Sequence, residues 1–241
     1  VRAYDPAFSY ELAVIVQDGL RRMVGGTAGG AGGQEDVFYY ITLMNENYRH
    51  PPMPEGAEEG ILRGIYPLRP GTGDGPRVQL LGSGTIVNEV LAAAELLESD
   101  FGVAADVWSV TSFTELRRDG IEAERWNMLH PTSEPRRAYV NERLSADGLG
   151  GPVVASTDFI RAFADQIRQW VPTSYRVLGT DGFGRSDYRR SLRHFFEIDR
   201  QYVTVAALKE LADAGELDRA RVQEAIERYE IDPEAPIPTT V

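Results

Sequence analysis

Few residues in this chain have the type and spacing for chemistry. It holds three histidines and no cysteine, which excludes disulfides, thiolate metal sites and a cysteine nucleophile. The stretch Asn45-Glu46-Asn47-Tyr48-Arg49-His50 follows the apolar run Val37–Met44. It therefore falls at the carboxyl end of an expected parallel strand, where open α/β sheets hold their ligands. Glu46 and His50 are the candidates for acid–base work there. The second stretch is Gly179 to Ser186, with three glycines, set between the short apolar run Arg176-Val177-Leu178 and an apolar stripe of Tyr188, Leu192, Phe195 and Phe196. This is a strand–turn–helix unit, with Ser186 at the N-cap position and Asp187 at the positive end of the helix dipole. A glycine-rich crossing of this kind cradles an anion or lets two backbones pack closely. Arg185, Arg189, Arg190 and Arg193 form a basic patch beside it. One expectation is thus a free-standing α/β module that binds an anionic ligand or an acidic partner at Gly179–Arg193.

The other motifs are weaker. Gly82-Ser83-Gly84 opens like a dinucleotide fingerprint, but Val87 replaces its third glycine and Asp106 begins the next strand instead of closing it. The same triplet is not the G-x-S-x-G elbow of a serine hydrolase. Gly25–Gly33 lacks the Lys-Ser/Thr of a phosphate loop and reads as a surface loop. His130 stands beside Pro131 with no second ligand one helical turn away, which argues against a metal.

The elements that must position these residues follow from periodicity. Ser9 caps a helix whose expected buried stripe is Leu12, Ile15, Val16, Leu20 and Met23. Val37–Met44 reads as a strand buried on both faces. Gly60–Leu68 reads as an edge strand, joined by the turn at Pro70–Pro76 to the strand Arg77–Gly82 as an antiparallel pair. A helix over Thr85–Leu97 and a strand over Asp106–Phe113 follow, then a polar, loop-rich segment through Pro131 and a short helix within Glu134–Leu144. Pro152–Thr157 is a strand and Phe159–Val171 a helix. Helices over Tyr202–Ala214 and Asp218–Tyr229 close the chain before an extended tail from Pro233. The fold class is α/β: a mostly parallel sheet with one antiparallel edge strand and helices on both faces, preceded by the tail of a second α/β domain. The expected division is residues 1–55 and 56–241.

A net charge of −12 over 241 residues argues against a nucleic-acid partner. No apolar run reaches the roughly 20 residues of a membrane span.

In combination, NENY (45–48), MPEGAEEGI (53–61), LLGSGTI (80–86), SVTSFTEL (109–116), ERWNMLHP (124–131), VASTDF (154–159) and RVLGTDGFGRSD (176–187) closely resemble a known family. They are similar to the carboxyl-terminal portion of the homodimeric, thiamine-diphosphate-dependent pyruvate dehydrogenase component, of the transketolase superfamily. The resemblance implies a carboxyl-terminal piece of a three-domain parent, holding the end of a pyrimidine-binding domain and a whole carboxyl-terminal domain. It implies that the parent decarboxylates pyruvate on thiamine diphosphate and Mg²⁺ in the cytoplasm, as a homodimer. It also implies that the parent acetylates the lipoyl group of a dihydrolipoyl acetyltransferase. The family's metal–diphosphate and Glu/His motifs have no counterpart here. Gly73-Asp74-Gly75 lies in a linker with no strand ahead of it, so no catalytic, cofactor-binding or metal residue carries over. The piece is expected to be structural, inactive alone and free of cofactor, and Asp181, Arg185 and Arg189 are expected at a domain or subunit contact.

Overall fold

A computed structural model of the chain describes residues 1–24, 35–146 and 148–240, and the Gly25–Gly33 loop lies outside the described residues. The framework is a five-stranded sheet in the order β3-β5-β4-β6-β7. Its strands are β3 (Tyr66–Arg69), β4 (Arg77–Gly82), β5 (Ala104–Ser109), β6 (Val153–Ser156) and β7 (Tyr175–Leu178). All neighbours are parallel except β3, which runs antiparallel to β5 at the edge. The mostly parallel sheet with one antiparallel edge is thus as expected. The partner of that edge is not, because β3 pairs with β5 and β4 is central. A short tight loop from β3 into β4 suggested a hairpin. Instead, Val78–Leu81 is buried throughout and takes the middle, where apolar runs belong.

Alternation along the strands divides the core in two. Val78, Leu80, Val107, Val154 and Leu178 face α3 (Val87–Leu96), α8 (Arg200–Asp213) and α9 (Arg219–Arg228). Leu81, Trp108, Val153, Ala155 and Val177 face α4 (Phe113–Leu129), α5 (Tyr139–Leu144) and α6 (Arg161–Asp165). The helix starts obey capping chemistry: Ser112 Oγ accepts from Glu115 N, Asp199 from Gln201 N and Tyr202 N, and Asp218 from Ala220 N. Helix α4 occupies the stretch expected as a polar loop. Its Gly120 obscures the pattern and is required, since a Cβ there would lie 2.4 Å from the Trp170 ring.

Four further expectations need correction. Residues 57–63 form a helix, α2 (Ala57–Arg63), capped by Gly64 at φ +105, so the strand starts only at Tyr66. The expected helix Phe159–Val171 is a short α6 followed by a separate 3-10 turn at Arg168–Trp170. Helix α7 spans Arg189–Phe195 with Tyr188 at its N-cap, while Ser186 makes no cap and Tyr188 is exposed. The tail from Pro233 ends in a 3-10 turn at Pro238–Thr240.

The first residues form their own small unit. Strand β1 (Arg2–Tyr4) pairs in parallel with β2 (Tyr39–Ile41). Among the described residues this pair is the whole of that sheet, so Tyr40 is 62% exposed and the run Val37–Met44 is not buried on both faces. Helix α1 (Ser9–Val24) buries Glu11, Ile15, Asp18 and Gly19, whereas Val16 and Leu20 of the expected stripe face outward. Polar anchors turn the helix this way. Asp18 accepts hydrogen bonds from Tyr39 Oη at 2.6 Å and Arg22 Nε at 2.8 Å. Glu11, wholly buried, accepts from Ala7 N, Phe8 N, Tyr66 Oη and Ser109 Oγ at 2.5–2.9 Å. Through Glu11, Asp5 N donating to Thr111 O and Ser112 Oγ donating to Ala3 O, this unit is fastened where the amino end of β3 meets the carboxyl end of β5.

Candidate functional site

Strand order locates the place where a parallel sheet holds ligands. From β4 the chain crosses to β5 on one side and later to β6 on the other, so the crevice above β4 and β6 is the topological switch point. The loops that leave it carry Ser83-Gly84-Thr85 after β4, Thr157-Asp158 after β6 and Gly179–Gly184 after β7. Helix α7 and residues 44–46 face them.

An ion network fills the centre. Arg193, 9% exposed, donates both terminal nitrogens to the Glu46 carboxylate, with Nη1 at 3.1 Å from Oε1. The same Nη1 lies 3.3 Å from Glu89 Oε1, and Nη2 reaches Thr85 Oγ1 at 3.3 Å. Arg200 grips Glu89 from the other side with Nε at 2.9 Å, Nη2 at 3.2 Å and its backbone N at 3.1 Å. Burial alone would raise the Glu89 carboxyl, but the hydrogen bonds and charge of Arg200, then the charge of Arg193, hold it below the usual range. Asp158 differs. Burial pushes its carboxyl up, and Arg193 and a 3.3 Å hydrogen bond from Thr85 oppose this only in part.

The glycine-rich turn is held from two sides. Thr180 N donates to Phe159 O at 2.9 Å and Thr180 Oγ1 to Asp158 O at 2.6 Å. Gly179 lies so close to the β6–α6 loop that a Cβ would fall 2.6 Å from Phe159 O, and Gly182, at φ +104, is equally close to Pro238 O. Gly184 faces open space. Close packing therefore accounts for two of the three glycines.

The structure does not join Glu46 and His50 into an acid–base couple. Both Glu46 oxygens are engaged by Arg193, while His50 Nδ1 accepts from Ser9 N at 2.9 Å and its ring stacks on Tyr48. Asp181 turns inward, accepting from Arg161 N at 3.0 Å with Arg161 Nε 3.3 Å away. Arg185 lays its guanidinium over the Phe195 ring at 5.1 Å. Arg189 donates to Asn45 O and stays 4.0 Å from Glu46. His130 stacks on Trp126, and His194 pairs with Asp199 at 2.9 Å.

Glu89 and Asp158 escaped the sequence reading. Each carried a signal: Glu89 is a charge within the otherwise apolar stripe of α3, and Asp158 directly follows a buried strand. Asp74 of Gly73-Asp74-Gly75 is exposed on the bend between β3 and β4, and the described residues hold no cluster of three His, Asp or Glu able to hold a metal ion. These donors do not fit a metal-bridged diphosphate.

Comparison with known proteins adds the lineage. The family model described as transketolase-like TK C-terminal domain matches residues 64–199, and that described as pyruvate dehydrogenase E1 component middle domain matches residues 1–51. The chain is 57% identical to the pyruvate dehydrogenase E1 component of Cupriavidus necator over 241 residues, 99% of this chain and 26% of the relative. With the Escherichia coli K12 protein of the same name it shares 56% over 231 residues, 95% of this chain and 25% of the relative. The chain thus spans about a quarter of the length of the curated relatives it matches. Among solved structures, transketolase from Leishmania mexicana superimposes with a TM-score of 0.54 at 17% identity, covering 98% of this chain and 26% of that one, a likeness of fold.

Proposed function

The chain belongs to the transketolase-like TK C-terminal domain family, and from that premise we propose that it acts as the carboxyl-terminal part of a pyruvate dehydrogenase E1 component. One observation carries the reading: two family matches stand in order on a single chain, an E1 middle domain over 1–51 and a transketolase-like carboxyl-terminal domain over 64–199. In this reading the parent is a homodimer in the cytoplasm. It decarboxylates pyruvate on thiamine diphosphate with Mg²⁺ and passes the acetyl group to the lipoyl group of a dihydrolipoyl acetyltransferase. The cofactor supplies the carbanion-stabilising chemistry when bound, and this chain's residues take no part in holding it. Their work is mechanical. Residues 1–55, the end of the middle domain, are locked by Glu11, Ser112 and Thr111 to the sheet of residues 56–241. The outward apolar residues Val16, Leu20, Phe38 and Tyr40 then meet the remainder of the parent or its second copy.

A chimera tests this. With this chain in place of the matching quarter of the Escherichia coli relative, the protein should dimerise and retain pyruvate decarboxylation. A chimera that dimerises and binds thiamine diphosphate yet decarboxylates no pyruvate would overturn the reading, as would micromolar, Mg²⁺-dependent binding of thiamine diphosphate to the 241-residue chain alone.

A further inference from the structure

The crevice at the switch point is only half filled by the protein itself. Above β4, Gly84 N donates to Asp5 O at 3.2 Å, and Ala7 and Phe8 pack on Val87, so residues 5–8 occupy the space. Above β6 and β7 the crevice stays open as a cavity of about 330 Å³. One wall is apolar, formed by Met44, Leu192, Phe196 and Ile198. Its polar lining brings Arg185 and Arg189 together with Asp158 and Thr180, Arg189 standing on the same helix as Leu192. Arg193 reaches the same cavity, but its charge is balanced by Glu46 and Glu89. Arg185 and Arg189 are both exposed at its rim: Arg185 lies over an aromatic face, Arg189 donates to the Asn45 carbonyl, and among the described residues neither guanidinium has a carboxylate closer than 4.0 Å.

We propose that this cavity is a binding site for a small organic carboxylate. Its anionic head lies between Arg185 and Arg189 and its short apolar body rests on Leu192, Phe196 and Ile198. A bidentate guanidinium–carboxylate pair suits two arginines on one rim. At about 330 Å³ the cavity stands at the small end of ligand pockets, which suits a ring or a short branched chain. The nearby Asp158 and Glu46 carboxyls weigh against a phosphate dianion. The turn is already fixed by Phe159 and Pro238, so a ligand need not order it. The inference stands apart from the pyruvate dehydrogenase reading, since neither the chimera nor thiamine diphosphate binding depends on this cavity.

The test titrates benzoate, and benzamide as its uncharged counterpart, into the chain at fixed ionic strength, following the backbone amide resonances of Gly182 and Gly184. Benzoate should shift both, with benzamide binding at least ~10-fold more weakly, the loss of one charge-assisted contact. The exposed pair Arg185→Gln/Arg189→Gln should weaken benzoate at least ~10-fold with an unchanged thermal midpoint, while Arg190→Gln, outside this cavity, should leave it within about twofold. Equal affinity for benzoate and benzamide overturns the proposal. So does an undiminished affinity in the double variant, inorganic phosphate binding the cavity more tightly than benzoate, or no perturbation of these glycines at millimolar benzoate.

Discussion

Glu11 and Ser109 stand 98 residues apart in the chain, yet Ser109 Oγ donates to Glu11 Oε1 at 2.6 Å in a wholly buried setting. Tyr66 Oη donates to the same oxygen at 2.6 Å. This one carboxylate therefore joins helix α1 to strands β3 and β5 at once. Glu11→Ala would leave two hydroxyls and the Ala7 and Phe8 amides without an acceptor. Urea unfolding should report a loss of about 3–5 kcal/mol, and Glu11→Gln, which keeps the shape and one acceptor, a smaller one. A loss below about 1 kcal/mol for Glu11→Ala would mean that water takes over these donors and that the joint is not tight.

The two buried carboxylates titrate in opposite senses. Burial raises Glu11, against the lowering hydrogen bonds from Ser109, Tyr66 and two amides. A raised carboxyl contributes stability below its unfolded value, and that contribution fades as pH climbs through the folded value. Glu89 is lowered, so its contribution is present above the unfolded value near 4.5 and lost as pH falls through the folded one. The stability gap between the natural chain and Glu89→Gln should accordingly shrink on acidification below that point. For Glu11→Gln the gap should narrow in the other direction, as pH rises. Parallel pH profiles for the two variants would contradict this assignment of partners.

Gly120 offers a test of packing against propensity. Alanine in the middle of α4 gains about 1 kcal/mol of intrinsic helix preference over glycine. Its Cβ would nevertheless sit 2.4 Å from the Trp170 ring. Overpacking of that kind costs about 1–3 kcal/mol, so Gly120→Ala should lower the thermal midpoint. A raised midpoint would show that Trp170 swings aside freely.

The glycines of the 179–184 turn should separate cleanly. Gly182→Ala meets both a left-handed φ of +104 and the Pro238 carbonyl at 2.6 Å, and should destabilise the chain and loosen residues 238–240. Gly184→Ala meets no atom within 4 Å and should leave the midpoint within about 1 °C. Backbone hydrogen exchange at Thr240, whose N donates to Ile237 O at 2.9 Å, would show the difference locally.

The doubly covered sheet was legible because its strands are short, mostly apolar runs, as in Val78–Leu81, broken only by Gln79, and Val153–Ala155, and because Asp218 caps its helix in plain view. Helix α4 was not, since Gly120 and its charged outer face blur a 3.6-residue stripe whose purpose is a tryptophan 50 residues away. Nor was the rotation of α1: hydrophobicity favours burying Val16 and Leu20, and only the distant Tyr39, Tyr66 and Ser109 explain why Glu11 and Asp18 go in instead. For the site, the arginines of α7 were visible as a cluster. Their partners Glu46 and Glu89 were not, because no local spacing links helix α3 to helix α7. The resemblance to the E1 family rested on motifs strung along the whole chain, and so it survived these local errors.

The central position of β4 has a kinetic consequence. Residues 77–109 form a compact strand–helix–strand crossover whose helix α3 covers its own two strands, so its contacts close over short loops. Strand β6 adds only by pairing Gln79 with Val153 across the whole of α4 and α5, and β7 follows it. Loop closure on that scale is entropically slow. The 77–109 crossover should therefore be ordered early in refolding, and the cavity beside Asp158, built on β6 and β7, should be the last part of the molecule to take shape.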